Sequence, residues 1–294
     1  MMRRAEWVSL GKGLGFLSPW IFGFLLFTAI PVGLSFYYSL CDYSLLQAPL
    51  YIGLQNYRDL MADPVFWKVL VNTFKYAVMA LPAGMVVSLG LALLLNAPIK
   101  GQAIYRTIIF LPSLVPTVAS AMLWLWLFNA KLGLINTILR WFGIEGPGWL
   151  TMPQWAMPAL AMMSLWGVGH TVVIYLAGLQ DVPKDLYEAA ELDGVGPLSR
   201  LRNVTLPMIS PVIFFNLVMA IIGTLQVFAI PFIMTQGGPA RATYFFTMYL
   251  YDNAFQYLKM GYASAMAWIQ LVIILCLTGI AFWSSKRWVH YQGA

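Results

Sequence analysis

The chain has 294 residues, of which 61% are hydrophobic and only 10% are charged. A soluble domain carries about a quarter charged residues, so the composition excludes an ordinary soluble protein and predicts an all-α, polytopic membrane protein. The formal net charge is +6, but the lysines and arginines are scattered singly along the chain. They form no basic stripe, which argues against a nucleic-acid partner.

Six apolar stretches are long enough to cross the hydrocarbon core as helices, which takes about 20 residues. The first follows a short basic leader, but it is too long for the apolar core of a signal peptide, and no small-residue cleavage site follows it. We therefore expect a retained helix there. The predicted spans are 14–40, 75–95, 106–128, 155–177, 208–234 and 260–283.

The distribution of basic residues predicts the orientation of these spans. Six spans place both termini on one side of the membrane. If that side is the cytoplasm, ten lysines and arginines lie on the inner segments and seven on the longer outer loops, which satisfies the positive-inside rule. This topology predicts cytoplasmic termini and a cytoplasmic location for the polar segment that joins the fourth and fifth spans.

Ionisable side chains are nearly absent from the predicted spans. His170 is the clear exception, and no acidic residue lies within a span. Ion-driven carriers hold their ion at mid-membrane with such groups, so a self-sufficient carrier is disfavoured, although backbone carbonyls can also bind sodium. A stand-alone carrier or facilitative channel is kept as the alternative. A membrane-embedded enzyme would need acid, base or metal ligands that the spans lack.

Energy for uphill transport would have to come from another subunit. The chain has no GxxxxGK[ST] loop to cradle a nucleotide phosphate, so we expect no ATP bound to it. Cys41 and Cys276 form no metal-ligand spacing, and His170 and His290 lie on opposite parts of the predicted topology. We therefore expect no metal, catalytic residue or cofactor on this chain.

The third and fourth spans carry polar residues beside helix-breaking ones. Pro112 and Pro116 each remove a backbone donor, a break that survives in a membrane where the backbone lines a cavity or is packed by neighbours. The hydroxyls that follow them can contact a polyol or bond back to their own helix. Sugars are recognised by hydrogen bonds and ring stacking, which the fourth span can supply, although its Trp can also simply pack on a neighbour. The residues concerned are Ser113, Thr117, Ser164, Trp166, His170 and Thr171.

The polar segment 181–207 predicts a helix–turn–helix. Pro183 is typical of a helix N-terminus, and Asp185 and Glu188 oppose the helix macrodipole. Gly194 predicts a turn, and Gly196-Pro197 predicts the start of the next helix. Such an element, held crosswise, can dock a partner and transmit rigid-body motion, whereas the alternative is an ordinary solvated loop. The fifth span then offers Thr224, Gln226 and Phe228, which can contact a solute or a neighbouring helix.

The spacing within this segment resembles the EAA loop of binding-protein-dependent ABC importers. Glu188-Ala189-Ala190 is followed by Asp193-Gly194 and, after a further interval, by Leu206-Pro207. Other stretches are similar to the first permease subunit of carbohydrate importers, the group that contains the maltose, lactose and glycerol-3-phosphate permeases. Those stretches are Gly53 to Tyr57, Asn72-Thr73, Tyr105-Arg106, Leu111-Pro112 and Gly237-Gly238-Pro239.

The resemblance implies a type I ABC importer permease in a prokaryotic inner membrane. The permease module would be 68–284, with 181–207 as its coupling loop, preceded by 1–67 and followed by a cytoplasmic tail at 285–294. The implied partners are a second homologous permease, two ATP-binding subunits that carry ATP and Mg, and an extracytoplasmic solute-binding protein. Glu188, Ala189, Ala190, Asp193 and Gly194 would contact the ATPase groove.

The resemblance also places the polar residues of spans three to five at or beside the sugar contacts of the family. Many members hold the solute in only one permease of the pair. No basic residue lies near the expected cavity within the spans, which favours a neutral sugar. The candidate contacts are Ser113, Thr117, Ser164, Trp166, His170, Thr171, Thr224, Gln226 and Phe228.

Overall fold

The structure is a computed structural model that describes residues 4–98 and 100–290, with side chains described from residue 12 onwards. Arg3, which contributes to the predicted charge asymmetry, and residues 291–294 of the predicted tail lie outside the described residues. The chain forms two compact units, one made of residues up to 63 together with 250–271, the other of 64–249 together with the chain from 272 onwards. The module division predicted at residue 67 stays a prediction.

Within the described residues the secondary structure is almost entirely helical, which confirms the predicted fold class. The chain also turns through a 3-10 stretch, Leu111–Leu114, and three π-helical stretches, Leu25–Ala29, Leu201–Thr205 and Asp252–Gln256. A two-residue antiparallel ladder pairs β1 (Cys41–Asp42) with β2 (Leu50–Tyr51). The helices are α1 Arg4–Phe24, α2 Ile30–Ser39, α3 Gln55–Ala62, α4 Pro64–Asn96, α5 Gln102–Phe110, α6 Thr117–Leu127, α7 Leu134–Trp141, α8 Pro153–Trp166, α9 Gly169–Gln180, α10 Lys184–Leu192, α11 Pro197–Arg200, α12 Leu206–Met208, α13 Ser210–Leu225, α14 Ala229–Met234, α15 Phe246–Tyr251 and α16 Met260–Ser285.

Among the described residues, four helical stretches are long and apolar enough to cross a membrane by themselves: Lys12–Ser39, Pro64–Asn96, Ser210–Met234 and Met260–Ser285. Two bent pairs meet the same criterion together. α5 with its 3-10 extension meets α6 at 98°, and α8 meets α9 at 50°. Counting each bent pair as one crossing gives the six spans that the sequence predicts. The second span starts at Pro64 rather than near 75, because proline suits the first position of a helix.

In the first unit, one buried side chain fixes the segment that follows the first span. The Asn56 amide on α3 donates to the carbonyl oxygens of Ser39 and Cys41, at 2.9 Å each. Gly261 at the start of α16 packs so closely that a Cβ there would overlap the Cys41 carbonyl oxygen. Any larger residue at Gly261 would therefore separate α16 from β1.

In the second unit, the 33-residue helix α4 is the central element and packs on α8, α9 and α13. Near its start, the Asn72 amide donates to the carbonyl oxygens of Arg241 and Tyr244, at 2.8 and 3.1 Å. The Thr73 hydroxyl accepts a 2.9 Å bond from the Phe246 backbone N–H. The Asn72-Thr73 pair thus holds the loop that contains the Gly237-Gly238-Pro239 motif against α4.

Candidate solute cavity and coupling segment

Among the described residues, two spans bend at a break and a third, Ser210–Met234, contains a short non-helical interval. The candidate solute contacts flank these three positions. The third span breaks at Val115 and Pro116, which are extended (ψ 129° and 138°). The fourth breaks at Gly167 and Val168, between α8 and α9. The fifth leaves helical geometry between α13 and α14, where Phe228 has φ −138° and ψ −62°. Broken spans are tolerated where the freed backbone lines a cavity or is packed by protein.

Close packing brings the first two breaks together. A Cβ built on Gly169 would lie 2.9 Å from the Ile109 carbonyl oxygen, 2.9 Å from the Ser113 hydroxyl and 3.0 Å from the Phe110 Cα. Only glycine permits this approach of α9 to the end of α5. The His170 ring then meets the Phe110 ring edge-on, with centroids 5.1 Å apart.

A cavity of about 280 Å³ opens beside the fourth-span break, between α4, the α8–α9 junction and α13. This volume is near the lower end of the range for small-molecule sites. Its polar lining includes three of the predicted residues, Ser164, Thr171 and Thr224, together with Tyr76 and Asn216. None of the described residues that line it is charged, so it suits a solute that binds through hydrogen bonds.

Several hydroxyls of the candidate residues donate to their own helix. Ser164 donates to the Ala161 carbonyl, and Thr224 to the Ala220 carbonyl, both at 2.6 Å. Outside the cavity, Ser113 donates to the Phe110 carbonyl at the same distance. The bonding-back interpretation, left open for the hydroxyls that follow Pro112 and Pro116, therefore holds for Ser113, and Ser164 and Thr224 bond in the same way. Their oxygen lone pairs still offer acceptors to a solute hydroxyl.

Asn216 is the polar cavity residue that sequence reasoning missed most clearly. It is 4% exposed, and its amide nitrogen has no hydrogen-bond partner among the described residues. A buried unpaired amide is costly, so this nitrogen favours a partner oxygen. The Tyr175 hydroxyl, which is also buried without a hydrogen bond of good geometry, interacts with Asn216 and is the group with which a ligand oxygen would compete. The signal was an isolated Asn in an apolar run, FFNLV. Sequence reasoning also missed Tyr76, which is 3% exposed and packs against Phe245, because it too is a polar group within a largely apolar helix.

The other predicted contacts lie outside this cavity. Trp166 meets Trp124 edge-on at 6.2 Å, and Phe228 stacks on Phe232 at 5.0 Å. His170, Thr117 and Gln226 are exposed on the single chain. The break alone does not separate the two groups, because Thr171 lies beyond the fourth-span break and lines the cavity, whereas Trp166 shares α8 with Ser164 and does not.

The coupling segment, residues 181–207, has the predicted helix–turn–helix form. α10 begins after Pro183, and α11 begins at Pro197. Gly194 has φ +68°, and the N–H of Val195 bonds the Ala190 carbonyl at 2.9 Å. This six-residue closure with a left-handed glycine is the Schellman motif, which ends a helix sharply.

One side of α10 is anchored and the other is exposed. The Tyr187 hydroxyl shares a 3.1 Å hydrogen bond with Thr205, and its ring packs with the apolar cluster that contains Val182 and Leu95. Ala190 is also buried, at 7% exposed. Its small size therefore serves packing within the chain, and its contact with the ATPase groove stays a prediction.

The exposed side of the coupling segment combines acidic and apolar groups. Glu188, Ala189, Asp193 and Gly194 are all exposed. Leu192 and Leu198, on either side of the turn, are 89% and 78% exposed. Residues 181–194 carry five acidic side chains and one lysine. Exposed leucines within an acidic surface are typical of a docking site for a groove with basic walls.

Comparison with known proteins decides the family. Residues 67–290 match the family described as "Binding-protein-dependent transport system inner membrane component". The chain belongs to this family. It is therefore a multi-pass component of the inner membrane, whereas the side on which its termini lie stays a prediction.

Three named permeases match between 80% and 95% of the chain. The probable ABC transporter permease protein YesP of Bacillus subtilis (strain 168) is 41% identical, over 95% of this chain and 92% of the relative. The sulfoquinovosyl glycerol transport system permease protein SmoG of Agrobacterium fabrum is 34% identical, over 95% and 92%. The lactose transport system permease protein LacF of Rhizobium radiobacter is 34% identical, over 80% and 81%.

A solved structure supports the same fold. The chain resembles part of a bacterial ABC transporter involved in the import of the acidic polysaccharide alginate. The TM-score is 0.84 at 24% identity, and the match covers 97% of this chain and 99% of that one. The predicted fold of an ABC importer permease is thereby confirmed.

Proposed function

We propose that this chain forms half of the translocation pathway of an ATP-driven, binding-protein-dependent carbohydrate importer. The observation that carries the proposal is the exposed acidic side of the coupling segment, which is shaped by the Gly194 turn and anchored on its other side by the partly buried Tyr187. A docking surface that is anchored to the rest of the chain can transmit the motion of attached ATPase subunits better than a mobile loop can.

In this proposal the energy comes from a pair of ATP-binding subunits that hold ATP and Mg. Glu188 and Gly194 lie at the interface between these subunits and this chain. A second homologous permease completes the pathway, and a solute-binding protein delivers the solute on the outer side. Both termini and the coupling segment then lie in the cytoplasm. This chain itself performs no covalent chemistry.

The proposed solute is a carbohydrate that binds through its hydroxyl groups. The relatives named for lactose and for sulfoquinovosyl glycerol support this class. The uncharged cavity around Asn216, Ser164 and Thr224 supports it independently, because it offers hydrogen-bonding atoms and no ion-pair partner. The proposed contacts of highest priority are therefore Asn216, Ser164, Thr171 and Thr224.

Reconstitution tests the proposal against the alternative of a stand-alone carrier. The four-subunit complex, purified together and placed in liposomes, should show vanadate-sensitive ATPase activity that the solute-loaded binding protein stimulates. Solute accumulation should require ATP. Uptake by this chain alone, at the same rate and without ATP, would contradict the proposal and support facilitated diffusion.

A further inference from the structure

A second cavity, of about 250 Å³, lies between α5 and α9 at one end of the spans. Arg106 is the fifth residue of α5, Leu95 lies in the last turn of α4, and Gln180 is the last residue of α9. All three line this cavity. Since the coupling segment starts at residue 181, the mouth of the cavity lies on the coupling side, where the spans reach the membrane surface.

The Arg106 guanidinium is poorly satisfied by the chain. Its single hydrogen bond among the described residues is a long one, 3.4 Å from Nη2 to the Leu95 carbonyl oxygen. That oxygen already accepts a 2.5 Å bond from the Gln102 amide, so Arg106 is not needed to cap α4. The Arg106 Nε is buried without a partner.

The poorly paired guanidinium favours an anionic ligand. A guanidinium carries five N–H donors, and a half-buried cation needs a counter-charge or good hydrogen bonds. None of the described residues that line the cavity is acidic. Gln180, which also lines the cavity, can supply a neutral donor.

The rest of the cavity wall is apolar, which indicates that the rest of the ligand is apolar as well. Ile109, Phe110, Val172, Val173 and Leu176 line the cavity with hydrocarbon. A carbohydrate would leave hydroxyls unpaired against these walls, which is costly. Val173 is 49% exposed, so the apolar wall opens sideways on the surface of the chain.

We propose that this cavity binds one anionic phospholipid, with its phosphate at Arg106 and Gln180 and one acyl chain along the apolar wall. Basic pockets between spans on the cytoplasmic side are a known way to hold anionic headgroups. The proposal depends on the membrane location of the chain and not on ATP coupling, so it can fail or succeed independently of the proposed transport function.

Native mass spectrometry of the purified chain, together with any subunits that co-purify with it, tests the proposal. The complex is titrated with phosphatidylglycerol and, separately, with phosphatidylcholine of the same acyl chains. The wild-type complex should retain one phosphatidylglycerol in preference to phosphatidylcholine. Arg106→Gln should weaken that binding about fivefold, the loss expected for one cation–headgroup contact, and Arg106→Lys should weaken it less.

Two further variants separate the site from general effects. Ala177→Trp keeps the cation but fills the cavity, so it should abolish the preference. Arg287→Gln is the matched control, because Arg287 is exposed beyond α16 with its guanidinium 5.2 Å from the Trp283 ring centroid, and it should bind as wild type does. Subunit co-purification checks that each variant assembles. If Arg106→Gln does not assemble, the lipid preference of Ala177→Trp tests the site instead.

Several results would overturn the proposal. One is equal loss in Arg106→Gln and Arg287→Gln, which would mean that only net charge matters. Others are equal binding of phosphatidylcholine, full binding by Ala177→Trp, or no retained lipid in the wild type because a partner subunit covers the cavity. Equally tight binding of soluble glycerol phosphate would show an anion site that makes no use of an acyl chain.

Discussion

The coupling segment and the solute cavity bring their residues together in different ways. The coupling segment is continuous, and Pro183, Gly194 and Pro197 shape it locally. The cavity is assembled from α4, the α8–α9 junction and α13, and its most available group is Asn216. Residues close together in the sequence define the coupling segment, whereas the solute cavity forms only when distant helices pack together.

The two regions also differ in charge and exposure. The coupling segment presents acidic and apolar side chains to solvent, while the cavity is uncharged and its Asn216 is buried. Charge reversal should therefore be most damaging at the coupling segment, whereas the cavity should respond to the loss of single hydrogen bonds.

The largest effect is expected from Glu188→Lys. Placing a cation where a basic groove should dock costs several kcal/mol, so ATP-dependent uptake should fall by more than about 100-fold with loss of ATPase subunits on purification. Co-purification and uptake in liposomes measure this. Glu145→Lys, an exposed change on a predicted outer loop, is the matched control for retention of the ATPase subunits. Normal uptake and assembly in Glu188→Lys would remove Glu188 from the interface.

Asn216→Leu should have the next largest effect. It keeps the side-chain size but removes the donor, and an unmade hydrogen bond to a solute costs about 1–2 kcal/mol, so KM for transport should rise about tenfold with assembly unchanged. Uptake at varied solute concentration provides the measurement. Thr278→Val removes another unpartnered buried polar atom, from α16 and outside the cavity, and should leave KM unchanged. Equal KM values for both variants would exclude Asn216 from solute contact.

Gly194→Ala should weaken coupling moderately. No atom lies near the added methyl group, so the cost comes from the left-handed backbone and amounts to about 1 kcal/mol, or about fivefold in ATPase retention. Gly196→Ala is the matched control, because Gly196 has φ −66° and equally open surroundings. A competition assay with the isolated ATPase measures retention. Identical values for the two alanine variants would show that the turn geometry is unimportant.

The double variant His170→Leu with Gln226→Leu should have the smallest effect. Both residues lie outside the cavity, so we expect a change in KM of no more than about threefold, from altered packing near the breaks. Uptake measured beside Asn216→Leu ranks the two regions. A tenfold or larger loss with intact assembly would move the principal solute contacts from the cavity to the exposed faces of the breaks.

The sequence predicted the spans and the coupling turn well because each depends on local signals. Apolar length marks a span, and Gly194 and Pro197 mark a turn and a helix start. It did not predict that Asn216 faces a cavity, since an apolar run hides the rotation of its helix. It also placed His170 with Ser164, but His170 is exposed outside the cavity, whereas Thr171, the next residue, lines it. Ala190 faces inward for a related reason, because the Tyr187 anchor sets the rotation of α10.

The length of α4 has a mechanical consequence. Its Asn72 and Thr73 are bonded to the 241–246 loop, and its far end, at Ala92 and Leu95, lies in the same apolar cluster as Val182 and Tyr187. At 33 residues the helix measures about 50 Å. One continuous helix therefore connects that loop to the base of α10 and passes the solute cavity, with Pro82, which removes a backbone donor, near its middle.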